Sequence, residues 1–151
     1  MEAAETLSHH LWNLRERLEL LVYSLNAQQL FLASGRLQFL ERAAADVAHT
    51  AELVAEMDSV VRTSAETLGT ELGISTTATL TELAQACADT WRTVLAEHRL
   101  ELSRLRAEVE QMVRLNKEAM RRATAGGPGG YNASGAGVDF KSNKPRLNTA
   151  G

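Results

Sequence analysis

The chain has 151 residues, about one domain's worth, of which 44% are apolar but only 5% aromatic, and its two prolines are Pro128 and Pro145. Ala, Leu, Glu and Arg dominate the first 124 residues, so long helices and an all-α body are expected. The formal charge of −3 is uneven: beyond Ala125, Lys141, Lys144 and Arg146 outnumber Asp139, which leaves −5 on the preceding part, and that part has no concentrated basic face for a phosphate backbone. Nucleic acid is not an expected partner.

The chain does not open on a basic region followed by an apolar run, and no stretch approaches roughly 18 uninterrupted apolar residues. Secretion and membrane insertion are therefore not expected, and a cytoplasmic location is. The single Cys87 has no internal disulfide partner and falls on an apolar seam, as a buried structural thiol would.

From Leu7 the apolar residues step alternately by four and three: Leu7, Leu11, Leu14, Leu18, Leu21, Leu25. The average of 3.5 is that of a left-handed coiled-coil seam, which continues through Gln28 and Leu32. Trp12, Val22, Leu30 and Phe31 lie beside the seam and widen it, which suits a helix with two partners. This predicts a first helix over about 4–33. At Ser34-Gly35 the pattern breaks and restarts out of phase at Leu37. A tight helix-to-helix turn explains both changes, a kink in one continuous helix being the alternative.

The second seam, over about 36–72, is the most regular: Leu37, Leu40, Ala44, Val47, Ala51, Val54, Asp58, Val61, Ala65, Leu68, Leu72. Only Asp58 breaks it chemically. The carboxylate either fixes register or, the favoured expectation, turns outward while Met57 fills the gap. Gly73 should end the helix in a left-handed cap with Ile74 folding back towards Leu68, and 75–78 should form a loop. Thr79 and Glu82 then stand at capping-box spacing before the next apolar run.

The third seam reads Leu80, Leu83, Cys87, Trp91, Val94, His98, Leu102, Leu105, Val109, Met112, with Asn116 and Ala119 beyond. Repeated steps of four imply local stutters. One helix over 79–124 would be roughly 68 Å long, against about 45 and 54 Å for the first two, at about 1.5 Å per residue. Its far end should then project past the Ser34-Gly35 turn and leave Val109, Met112, Val113, Leu115 and Met120 uncovered, with Leu105 and Ala119 at the edges. An apolar strip without an internal partner marks a binding surface, and methionines make it adaptable. After Thr124 the glycine-rich run AGGPGG ends the helix, so 125–151 is expected to be a flexible tail attached to a 1–124 helical domain.

Chemistry is not expected. Asp46-x-x-His49 and the reversed His98-x-x-Glu101 lack the second set that a four-helix di-metal site needs, and His9-His10 point to different faces of a helix. There is no nucleophile frame, phosphate loop or paired Cys, so no catalytic residue, no metal ligand and no cofactor is assigned and the chain reads as a non-enzyme.

Three segments carry a resemblance: LASGRLQFLE (Leu32 to Glu41), RLNKEAMRR (Arg114 to Arg122) and YNASG (Tyr131 to Gly135). Together with the heptad-rich first helix they resemble the FlgN-type flagellar export chaperones. That resemblance implies a cytoplasmic all-α chaperone in flagellum biogenesis and type III protein export. Its cargo would be C-terminal helical segments of hook-associated proteins, the subunits of the hook–filament junction, delivered to the cytoplasmic domain of the export gate. Cargo would enter helix-in-groove, with Leu105, Val109, Met112, Val113, Leu115, Ala119 and Met120 as the receiving strip and Tyr131 as an export-gate contact. The rival expectation is a structural coiled-coil protein that homodimerises through its C-terminal helix.

Overall fold

Every leucine of the first seam, from Leu7 to Leu25, is buried, because each turns to the same side of one helix and meets two others there. The computed structural model describes residues 2–125, which form four α-helices: α1 (Glu2–Ser34), α2 (Leu40–Glu71), α3 (Leu80–Ala86) and α4 (Asp89–Ala125). The chain is all-α, an antiparallel bundle in which α1 is central and packs along both α2 and α4. His10 of α1 meets Ser64 of α2, and Arg17 reaches the Leu53 carbonyl, so α1 and α2 run antiparallel. Ser8 meets His98 and Leu25 meets Asn116, so α4 runs parallel to α1. The expected 125–151 tail lies outside the described residues except for Ala125, the last residue of α4.

Ser34-Gly35 is a turn between two helices and not a kink in a single rod. Gly35 has φ +71°, and the amides of Gly35 and Arg36 donate to the carbonyls of Leu32 and Phe31 at 3.4 and 3.1 Å. This doubly bonded cap satisfies carbonyls that the helix end would leave open. A single 3-10 turn, Leu37–Phe39, then leads into α2, so Leu37, expected on the second seam, is exposed. The same cap closes α2. Gly73 has φ +70° and donates to Thr70, while Ile74 donates to Gly69 at 3.0 Å and packs against the core. Thr79 caps α3 as its spacing predicts, its Oγ1 accepting from the Glu82 amide at 3.2 Å.

The expected third helix is broken. Cys87 is extended (φ −86°, ψ 161°), so α3 ends at Ala86 and α4 begins two residues after Cys87. The consecutive four-residue steps Leu83, Cys87, Trp91 are the sequence trace of this break, which neither Pro nor Gly announces. Beyond it the register shifts, and Leu95 is buried where Val94 was expected. The break also removes most of the predicted overhang. Helices α4, α1 and α2 have 37, 33 and 32 residues, or about 56, 50 and 48 Å at roughly 1.5 Å per residue.

Three polar layers interrupt the apolar face of α4. His98 lies between Ser8 and Arg15, Arg106 donates to Asp58 at 2.7 Å, and the Asn116 amide donates to the Leu25 carbonyl and to Gln28 at 2.9 and 3.0 Å. Asp58 is therefore buried and fixes register, contrary to the expectation that it turns outward; Met57 is buried beside it. Sliding α4 by one turn would bring each polar group opposite leucine or valine without a partner, at a cost of about 1–3 kcal/mol per neutral group and more for the charged ones.

Candidate docking surface

The strip expected to receive cargo faces inward. Leu105, Val109 and Met112 belong to the main core, and Met120 packs against Leu32 and Ala44 at the turn end of the bundle. Val113 and Ala119 are half-buried, and Leu115 alone is well exposed, at 46%. The physical reason is the short α4: with little overhang, α1 and α2 supply the seam that a partner was expected to supply. Tyr131 lies outside the described residues.

An unpartnered apolar face does exist, on the other side of α1. Trp12 (51% exposed), Leu20 (45%), Tyr23 (72%) and Leu30 (68%) point outward, with Ala27 and Phe31 half-buried among them. Positions 12, 16, 20, 23, 27 and 30 or 31 step by four, four, three, four and three or four, which keeps them within about 100° on a helix of 3.6 residues per turn. Only Glu16 is charged within the stripe. The helix therefore carries two seams, an inner one used by the bundle and an outer one that the described residues leave open. Trp12, Leu30 and Phe31 betray it in the sequence; Leu20 and Tyr23 belong to it as well and are hidden by the stronger inner pattern.

Each end of the stripe is shaped by a neighbour. At the turn end Tyr23, Ser24, Ala27 and Phe31 form one wall of a groove, and Phe39, Arg42, Ala43 and Asp46 form the other. The Phe31 and Phe39 rings lie 5.2 Å apart at 42°, and Arg42 pairs with Asp46 at 3.3 Å on the rim. At the opposite end the Trp12 ring meets the His98 ring edge-on, 5.1 Å away at 83°, and the Arg15 guanidinium stacks 4.0 Å from the Trp12 ring.

Arg15 can only donate, so its 3.3 Å bond makes His98 Nδ1 an acceptor; Nε2 then carries the proton and donates to Ser8 Oγ at 3.0 Å. Burial, with a smaller contribution from the Arg15 charge, pushes His98 down to about 4, so the ring is neutral at neutral pH. Trp12 is thus held against a rigid, uncharged support.

Elsewhere among the described residues Asp46, Glu101 and Cys87, noted in the sequence, are paired or buried. Asp46 pairs with Arg42, Glu101 accepts from Arg104, and the Cys87 thiol is pushed up by burial against the weaker opposing pull of Arg92. Among the described residues no three His, Cys, Asp or Glu side chains are grouped to hold a metal ion, and no helix is long and apolar enough to cross a membrane.

Comparison with protein-family models, with curated proteins and with solved structures finds no match for this chain. The fold and the surface themselves define a class: a helical bundle whose central helix has an outer apolar seam that no other described residue covers.

Proposed function

We propose that the chain is a non-catalytic, helix-binding protein, and specifically a cytoplasmic export chaperone of the FlgN type that its sequence resembles. The observation that supports the reading best is the outer stripe of α1, an exposed apolar seam with coiled-coil steps and an aromatic groove at one end. An amphipathic segment laid along it would complete a four-helix arrangement, the helix-in-groove mode of recognition. The cargo in this reading is a C-terminal helical segment of a hook-associated protein, and the escorted complex is handed to the export gate.

The cargo site moves accordingly. Tyr23, Ala27, Leu30 and Phe31 replace the α4 strip as the receiving residues, with Phe39 closing the groove, and Leu115 remains the exposed apolar residue of the original set. An acidic residue at the buried Met112 would unfold the bundle and so could not report on binding.

The test is capture of a hook-associated protein's C-terminal segment by the full chain. Tyr23→Glu together with Leu30→Glu should weaken capture at least about tenfold, because both side chains would lie in the buried centre of the contact. The helical bundle should stay folded, since both positions are exposed on the surface of the single chain. Undiminished capture by this stable variant would remove the stripe from the cargo site; failure of the parent chain to capture any such segment would remove the chaperone reading itself.

A further inference from the structure

The outer stripe of α1 is arranged almost symmetrically about its own midpoint. Counting from a centre between Leu21 and Val22, Leu20 mirrors Tyr23, Glu16 mirrors Ala27, and Trp12 mirrors Phe31, with Asn13 mirroring Leu30. A seam with this property can pair with a second copy of itself running the opposite way, since a two-fold axis places each residue against its mirror image. From these positions and their exposure we propose that the free protein is a two-fold symmetric dimer, in which the outer stripes of two α1 helices pack antiparallel across an axis near Leu21 and Val22. The proposal shares with the chaperone reading the premise that this face receives a helix; it does not depend on the identity of the cargo.

Charge selects this occupant and this direction. In the antiparallel register Glu16, the charged residue of the stripe, meets Ala27 of the other copy, so no two like charges oppose each other across the seam. In a parallel pair in register Glu16 would face its own copy. Like charges at such spacing destabilise a helix pair. Ala27 also lines the groove whose rim carries the Arg42–Asp46 pair, so the incoming Glu16 meets a small side chain within reach of a guanidinium.

Size and shape fit as well. At each end of the paired helices the exposed Trp12 of one copy meets Phe31 of the other, next to Phe39, which puts a large aromatic cluster at both ends. Ala27 lies between Tyr23 and Phe31, so the groove is open where the mirror-image position, Glu16, is bulky. A dimer of this kind would leave the α4 seam untouched. Cargo would then bind by displacing the second copy, so that the idle chaperone hides its own apolar face.

The register is tested by cross-linking the full chain in a Cys87→Ala background, which removes the native thiol. Glu16→Cys and Ala27→Cys are made as separate variants. In the antiparallel register residues 16 and 27 of the two copies lie opposite each other, whereas residue 16 and its own copy are offset by about 16 Å along the helix at roughly 1.5 Å per residue. Mixing the two variants and oxidising should therefore give disulfide-linked dimers in high yield, and each variant alone should give almost none. Sedimentation of the parent chain should show a dimer that Leu20→Glu with Tyr23→Glu weakens by at least about tenfold in Kd.

Cross-linking of each variant with itself overturns the proposal in favour of a parallel pair. A parent chain that stays monomeric across the concentration range also overturns it, and so does one that dimerises only after residues 126–151 are removed, which would make that segment the occupant. A parent chain that is monomeric and still captures cargo defeats this inference and leaves the chaperone reading standing. The cross-linked dimer without any cargo capture does the reverse.

Discussion

His98 shows how one side chain can tie stability to pH. The folded protein holds it neutral, down to about 4, chiefly through burial, whereas in the unfolded chain it titrates near the ordinary value of about 6.5. As pH falls below about 6.5 the unfolded state takes up the proton first, so this contribution to stability drains away until about pH 4. At about 1.4 kcal/mol per pH unit the loss approaches about 3.5 kcal/mol. His10, lowered by burial and by His9, acts in the same direction. Asp58, raised mainly by burial, acts in the opposite direction at the acid end. The isolating measurement is the difference between the parent and His98→Gln, which can keep both hydrogen bonds without titrating. The urea midpoint of the parent should fall more steeply from pH 7 to pH 4.5 than that of the variant; parallel curves would mean that His98 is solvated and titrates normally.

At the level of elements, the caps decide where each helix stops. Gly69, one turn before the end of α2, looks from the sequence like a helix weakness that alanine would repair by about 1 kcal/mol. The structure reverses that expectation, because a Cβ there would lie 2.8 Å from the Ser75 carbonyl oxygen in the returning loop. Backbone cannot swing aside as a side chain can. Gly69→Ala should therefore cost about 1–2 kcal/mol in chemical denaturation; an unchanged or raised midpoint would show that 75–78 relaxes freely. The caps at Gly35, Gly73 and Thr79 were all legible, because each depends on a local residue type at a fixed offset. The break at Cys87 was not, since neither Gly nor Pro stands there; α3 packs against both α4 and α2.

The same distinction holds for the whole molecule, most clearly at the ion pair between α2 and α4. Asp58 and Arg106 are both nearly buried, yet Arg106 bonds through Nη2 alone, while Nε and Nη1 find no acceptor, and burial outweighs the guanidinium in setting the Asp58 carboxyl above its ordinary range. The folded state thus gives up the Asp58 proton less readily than the unfolded chain does, and the pair works as a register key at some expense of stability. Asp58→Ala alone should lose about 3–5 kcal/mol, because it strands a buried cation, whereas Asp58→Leu with Arg106→Met should be neutral or up to about 4 kcal/mol more stable. Comparing melting temperatures of the two variants checks this. A double variant as unstable as the single one would show that the pair contributes net stability.

The helical class, the inner seam of α1, nearly all of the α2 seam and the interruption at Ser34-Gly35 follow from the sequence alone, because heptad spacing and glycine signals act over a few residues and need no partner to be recognised; that the interruption is a turn and not a kink was decided by the structure. Which apolar seam remains open could be decided only by tertiary structure. Val109, Met112 and Met120 looked available for as long as the third helix was counted as unbroken. One extended residue, Cys87, shortened it, and α1 and α2 then covered that seam. The stripe of Trp12, Leu20, Tyr23 and Leu30 remained outside because three helices enclose a single core, and the central helix has more apolar perimeter than two neighbours can cover.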